Sequence, residues 1–466
     1  MKKLLLLLLL PLTTFAQNNY QAKLNQLMEA NVNVNHFNGN ILVAKAGKVI
    51  YQKAFGYRNY STKQLLNNNT VFELASLSKQ FTGMGILILK EQGKLKLEDS
   101  LRHFFPELPY EGVTIKHLLT HTAGLPDYMD AMEPKWDHQK IAFNKDMIAF
   151  LAAEKIPAKF KPGTRFEYSN TGYALLASII EKVSGQTLST FMRQHIFKPL
   201  QMDRSRIYNT RRSKKDTISN YAYGYVYEDS LKRYVLPDSL KKYDVVYYLD
   251  GIAGDGVVNS TTGDLLIWDR ALKNHRLISA PLQAEMFADQ SLMDTVNKAY
   301  YGYGVFTATD QYGKLISHSG SWIGYRTILT RYVDQDITVI ILSNNESNVT
   351  ALASAVTAIM FNKEVIPPYI HHEVTLKSET LNSFAGTFER HLPVKNAMIT
   401  IIYKDGKLYR TTAGSPDLLL KAESNNKLFY TDGTDRQMEF VRDKSGKIIG
   451  GWFIANGIKS KLTVAR

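Results

Sequence analysis

Ser76 and Lys79 stand three residues apart in FELASLSKQFTGMGILILKEQG, Phe72 to Gly93, where a polar stretch gives way to a long apolar run. A serine at a helix start lies in the positive end of the dipole, where an oxyanion is stabilised. A lysine three positions on shares that face, one turn later, within reach of the hydroxyl. Once buried, its amine can give up a proton and act as a base toward the serine. The bland alternative is a capping serine with a snorkelling lysine. Spacing alone does not choose, because the chain carries two further pairs of the same form, Ser239/Lys242 in a charged loop and Ser424/Lys427 in an Asn-rich turn. Only the first opens a long apolar helix.

A serine hydroxyl needs partners to become nucleophilic near neutral pH. Tyr168 and Asn170, in FEYSNTGYALL, stand just ahead of a helical pattern. A tyrosine beside an ammonium group can shuttle a proton, and an asparagine offers both a donor and an acceptor to a substrate amide. His318, Ser319 and Gly320 end a strand pattern in LISHSGSWIGY, with Ser321 just after. A glycine there lets a substrate lie close against the strand edge. The N–H groups of Ser76 and Ser321 can then face an oxyanion together. Short triplets of this kind also arise by chance, as in Lys45-Ala46-Gly47. Less expected by chance is the order: helix start, loop before a helix, strand end.

These motifs resemble those of the serine β-lactamase and penicillin-recognising DD-peptidase superfamily, in the branch of class C β-lactamases, DD-carboxypeptidases, D-aminopeptidases and related esterases. Ser76-Leu77-Ser78-Lys79 is similar to its Ser-x-x-Lys, Tyr168-Ser169-Asn170 to its Tyr-x-Asn, and His318-Ser319-Gly320 stands where the lactamases carry Lys-Thr-Gly. LLTHTAGL, Leu118 to Leu125, and PLQMDRSRIY, Pro199 to Tyr208, resemble further stretches of that branch. The resemblance covers roughly residues 33 to 361. It implies an acyl-enzyme mechanism with Ser76, Lys79 and Tyr168 as catalytic residues and Asn170, His318, Ser319, Gly320 and Ser321 as substrate-binding residues. Histidine in the third motif is more typical of DD-peptidases and D-amino-acid-releasing peptidases than of efficient class C lactamases. If His318 holds a substrate carboxylate only when protonated, KM for an acidic substrate rises between about pH 6 and 8.

The elements that must bring these motifs together are legible as periodic patterns. A helical pattern runs from Tyr20 to Ala30. A hairpin follows, with alternating apolar residues on both sides of Ala46-Gly47. Helices are expected over Phe72–Gly93, within Thr114–Tyr128, from Asn170 until Gly185, and after Ser260 or Thr261. From about Lys298 four strands follow one another, and then a helix from Val349 to Phe361. Strands at both ends with helices between predict an α/β domain, with one antiparallel sheet built from both ends around a large helical insertion. Pro367-Pro368 marks a linker over residues 364–374. Beyond it, 375–466 is all strand and turn. Hairpin signals at Asp405-Gly406, Asp432-Gly433, Ser445-Gly446 and Asn456-Gly457 predict a small β-barrel or sandwich.

Composition narrows the class. Residues 1–16 carry Lys2 and Lys3, an apolar run too short to span a bilayer, and Thr14 and Ala16 at cleavage-site positions, the pattern of a secretory leader cut after Ala16. The chain has no cysteine, hence neither a disulfide nor a lipidated cysteine. The expected location is the periplasm, with full secretion as the alternative and no stable membrane anchor. The net charge of +14 is spread out, and its densest cluster, Arg211 to Lys215, lacks interleaved aromatics. Nucleic acid is therefore not an expected partner. His371-His372 lacks a third ligand at metal spacing, so no metal and no cofactor is expected. His121 reads as a packing and hydrogen-bonding residue. The domains expected are a leader (1–16), a hydrolase domain (17–363), a linker (364–374) and an accessory barrel (375–466). The function expected is an exported serine hydrolase of amide or ester bonds acting on a small molecule or peptide, such as a peptidoglycan fragment. The rival is a catalytically slow cell-wall or β-lactam sensor.

Overall fold

The computed structural model describes residues 12–208, 217–392, 396–412 and 414–465. Residues 1–11 of the expected leader and the cluster Arg211–Lys215 lie outside the described residues. Among the described residues no helix is long and apolar enough to cross a membrane. The chain divides into two compact units, Phe37–Ala353, and the residues before Phe37 together with those from Ser354 on.

The first unit is built on an eight-stranded antiparallel sheet. Its order is Ser291–Asp294, Ala299–Tyr301, Phe306–Asp310, Gly313–Trp322, Tyr325–Tyr332, Ile337–Ser343, Gly39–Lys45 and Lys48–Phe55. The N-terminal hairpin therefore joins the late strands, with Gly39 opposite Ser343, as the two-ended pattern requires. Ile337–Ser343 is buried at every position, which is why it reads as a continuous apolar run rather than an alternation. The hairpin turn uses Ala46 and Gly47, both at positive φ. Between the two ends lies the helical insertion, in which Asn170–Ser184 buries Tyr173 to Ile180 and stops at Gly185, φ 69°. Thr262–Lys273 starts on a Thr261 cap, whose side chain accepts from the Asp264 N–H.

One expected helix is interrupted. Phe72–Glu73 forms a short strand against Ser260 and Asn259, Ala75–Ser78 makes a single 3₁₀ turn, and the α-helix starts only at Lys79 and runs to Glu91. Ala75 takes a left-handed φ of 49°, which no α-helix continues through. The long-range pairing overrides the local pattern and sets Ser76 in a tight turn that leads into the helix.

In the second unit, the N-terminal helix spans Leu12–Asn35 and exceeds the Tyr20–Ala30 pattern at both ends. Asparagines extend its C-terminal part by bonding along it: Asn31 donates to the Leu27 carbonyl and Asn35 to the Asn31 side chain. The tail closes into a barrel of eight antiparallel strands, the first pairing with the last through Phe388 and Val464. All four expected turn signals sit between paired strands. Phe384, Phe388, Leu428, Met438, Phe440 and Phe453 fill its core. The stretch expected as a linker has neither helix nor strand, yet bonds to the barrel: Ile366 N–H donates to Gly457 O and Val374 N–H to Ala422 O.

Candidate active site

Ser76 is half-buried in its 3₁₀ turn, flanked by buried residues. Two anchors hold that turn. Thr327 Oγ1 donates to the Leu74 carbonyl at 2.7 Å, and the Leu74 N–H donates to the Val258 carbonyl. Gly320 explains itself here. A Cβ at this position would sit 2.0 Å from Leu74 O and 2.4 Å from Thr327 Oγ1. The glycine thus admits the chain that carries Ser76, whereas sequence reasoning assigned the space to a substrate.

Lys79 is fully buried. Its Nζ lies 3.1 Å from Ser76 Oγ, 2.9 Å from Asn170 Oδ1 and 2.9 Å from the Asp255 carbonyl oxygen. Asn170 Oδ1 and Asp255 O are pure acceptors and take two amine hydrogens. The third position of the amine faces the serine, where the lone pair of a neutral lysine can receive the hydroxyl proton. Asn170 owes its orientation to Asp127, whose Oδ2 accepts from both its backbone N–H and its Nδ2 at 3.3 Å. Its amide oxygen is therefore committed to Lys79, while its side chain also lines the cleft.

Tyr168 sits beside the amine, with Lys79 Nζ 4.8 Å from its ring centroid. His121 brackets it: the His121 carbonyl accepts the Glu167 N–H at 2.9 Å, and its Nδ1 accepts the Ser169 N–H at 3.0 Å. The His121 ring also stacks on Tyr168 at 4.3 Å. Burial, with Lys79 and His318 adding to it, holds His121 well below its ordinary pKa, so it is neutral with the proton on Nε2. Packing and hydrogen bonding are thus what this residue does.

His318 departs from expectation. It is buried, its Nδ1–H donates to the Ser319 carbonyl at 2.6 Å, and Tyr301 O–H donates to its Nε2 at 3.0 Å. Burial first, and the Lys79 charge second, push its pKa down to about 3. The anticipated titration between pH 6 and 8 is therefore corrected: both ring nitrogens are occupied and the imidazole stays neutral. Ser319 is half-buried, and Ser321 is exposed at the cleft. Phe306 pairs with Ser317, where that ladder ends, so 318–322 has a strand partner only on its other side. An open strand edge therefore borders the Ser76 turn.

The cleft measures about 310 Å³, and Ser76, Asn170, Tyr128, Asp255, Ser321 and Trp322 are among the residues that line it. Asp255 and Tyr128 escaped sequence reasoning. Their side chains meet at 3.0 Å across 127 residues, and burial pushes the Asp255 carboxyl up while Lys79 and Tyr128 pull it down. Asp127 left a signal: it follows Pro126 and caps the short helix Tyr128–Met132 through the Met129 N–H. Among the described residues no group of His, Asp or Glu is arranged to hold a metal ion.

A hydroxyl against a buried amine, a neighbouring phenol and an open strand edge form an arrangement suited to serine-nucleophile chemistry. Comparison with known proteins agrees. The β-lactamase family model matches residues 24–360, and the chain belongs to that family. It is 38% identical over 445 residues to penicillin-binding protein 4* of Bacillus subtilis (strain 168), covering 92% of this chain and 98% of the relative. The octameric penicillin-binding protein homologue from Pyrococcus abyssi superposes with a TM-score of 0.67 at 25% identity, over 95% of this chain and 99% of that one. D-amino acid amidase from Ochrobactrum anthropi SV3 shares the fold, with a TM-score of 0.62 at 23% identity, over 75% of this chain and 99% of that one.

Proposed function

We propose that the protein is an exported hydrolase that cleaves amide or ester bonds through an acyl-enzyme on Ser76. The observation that carries this reading is the 3.1 Å contact between Ser76 Oγ and a buried Lys79. Ser76 Oγ attacks the substrate carbonyl as Lys79 takes its proton. The oxyanion is held by the N–H groups of Ser76 and Ser321. Collapse of the tetrahedral species breaks the bond to the leaving group, which receives a proton by way of Tyr168. Water then attacks the ester, the same groups move its proton, and Ser76 is released. His318, neutral and fixed, holds the Ser319 carbonyl and so shapes the strand edge that the substrate meets.

The substrate class proposed is a small molecule or peptide containing D-residues, with peptidoglycan fragments and β-lactams as candidates. The relative named penicillin-binding protein 4* and the β-lactamase family support it. In this reading the leader is cut after Ala16, the protein acts in the periplasm, residues 17–363 form the hydrolase and 375–466 an accessory barrel. To test it, the mature protein is incubated with a reporter penicillin and with a D-Ala-D-Ala peptide, and covalent mass and product are followed over time. Transient labelling with turnover is expected, and Ser76→Ala abolishes both. Turnover of an activated ester that survives Ser76→Ala removes the mechanism. Labelling that persists without product favours the sensor instead.

A further inference from the structure

The barrel carries a charged feature that the hydrolase site does not use. By the two-residue period of strands, Arg390 lies on the face of the buried Phe388, and Arg410 on that of the buried Leu408. Tyr430 follows Leu428 in the same way. The ladders bring these positions to one rim: Arg410 pairs with Leu418, Leu420 with Tyr430, and Phe429 with Gln437, next to Arg436. Arg390 ends its strand there.

The side chains meet. The Arg436 guanidinium lies 4.3 Å over the Tyr430 ring, and that of Arg390 lies 4.1 Å over Phe453, which in turn packs on Tyr430 at 6.1 Å. Two guanidinium groups thus pack on rings at this rim, and Arg410 joins them through its place in the ladder and its charge acting on the Tyr430 phenol. Two carboxylates of the adjoining turn have duties of their own: Asp432 binds Arg436, and Asp435 accepts the N–H groups of Asn456 and Gly457 at 3.1 Å. Arg390 spends its Nε on Ser460 Oγ at 2.8 Å.

Two polar atoms at this rim are buried without a partner among the described residues, Arg410 Nε and the Tyr430 hydroxyl. Tyr430 itself is 3% exposed. A buried donor left unpaired costs free energy unless something outside the chain pairs it. Arg410, Arg436 and Arg390 all bear on the Tyr430 phenol, and burial with the neighbouring Arg436 pushes the Arg390 pKa down. Packing of arginine on aromatic rings accounts for Arg436 and Arg390. It does not account for Arg410 or the orphaned hydroxyl.

We propose that this rim of the barrel is an oxyanion-binding site, which takes a carboxylate or phosphate group between Arg410, Arg390 and the Tyr430 hydroxyl. Guanidinium forks suit both oxyanions, and a phenol adds one further donor.

The test titrates the full chain with inorganic phosphate and, separately, with acetate at constant ionic strength balanced by chloride, reading heat and Tm. Saturable binding with a rise in Tm is expected for at least one anion. Phosphate alone points to a phosphorylated ligand, and acetate to a carboxylate. Arg410→Ala weakens binding about ten- to a hundredfold and removes the rise in Tm, while the unliganded Tm holds or climbs because a repelling charge is gone. Arg410→Lys, which keeps the charge without the fork, binds at an intermediate level, and Tyr430→Phe binds several-fold more weakly. No saturable binding of either anion, or unchanged binding by Arg410→Ala and Arg410→Lys, overturns the proposal.

Discussion

Three places among the described residues carry a serine and a lysine three apart with a tyrosine ring beside the amine, and in only one does the amine bond to its serine hydroxyl. In the cleft, Lys79 bonds to three uncharged oxygens, those of Ser76, Asn170 and the Asp255 main chain. In the barrel, Lys427 binds the Tyr369 hydroxyl and lies 3.4 Å from the Glu423 carboxylate. Ser424 there is engaged by the Asn426 N–H. The third pair follows the barrel's pattern: Lys242 binds Glu228 at 2.7 Å, and Ser239 donates to the Leu236 carbonyl. Lys79 is fully buried with the serine hydroxyl on its amine, whereas Lys427 and Lys242 are partly exposed and ion-paired with carboxylates. What distinguishes Lys79 from the other two is its burial and its hold on the serine hydroxyl rather than the spacing.

Replacing the amine gives the largest effect. Lys79→Met is expected to lower the rate of Ser76 acylation by about 10²–10⁴-fold, while Lys427→Met leaves it unchanged. Stopped-flow acylation by an activated ester checks both, and equal losses would dissolve the contrast.

The next variant turns one environment into the other. Asn170→Asp places a carboxylate on Lys79, as Glu423 is placed on Lys427. The lysine pKa rises, so less free amine is present at pH 7. The acid limb of kcat/KM therefore moves to higher pH, and about tenfold of activity is lost at pH 7 for each unit of movement. A limb that stays in place would show that Lys79 is not the base.

Smaller effects fall on the residues behind the cleft. Gly320→Ala forces a Cβ onto the Leu74 carbonyl. It should cost about 1–3 kcal/mol of stability and slow acylation, since the same carbonyl anchors the Ser76 turn. Chemical denaturation beside acylation rates measures both. His318 gives a pH signature. Its folded pKa of about 3 lies below the ordinary histidine value of 6.5, so the unfolded chain binds the extra proton in that window. Stability contributed by neutral His318 is present above pH 6.5 and is lost as pH falls toward 3. His318→Gln should flatten the dependence of unfolding midpoint on pH between 6.5 and 4. An unchanged slope would mean that the ring titrates normally.

The smallest effect returns to the barrel. Lys427→Met removes a partly exposed pair and is expected to change stability by less than about 1 kcal/mol, read as a small shift in Tm.

The motifs were legible because their residue types are unusual where they stand. A lysine at the start of an apolar helix and an asparagine opening another both break a periodic pattern. The sheet was legible from the two-residue period and the tail from its Asp-Gly, Ser-Gly and Asn-Gly turns. Partners that depend on the closed fold were not. Asp255 lies in a glycine-flanked segment without periodicity, and its meeting with Tyr128 is set by tertiary structure alone. The break at Ala75 was hidden because pairing of Phe72–Glu73 with Asn259–Ser260 outweighs local helix preference. The charge state of His318 was misjudged because an unperturbed pKa says nothing of burial beneath Tyr301 and Phe306.

The ring of the tail domain is completed by its own last strand, Ile458–Val464, which pairs with the first. Synthesis therefore cannot finish this module early. Until Ile458–Val464 leaves the ribosome, two strand borders and an oily interior remain uncovered, and the barrel cannot close. A stop codon before Ile458 would not trim the barrel but leave it unsealed and adhesive.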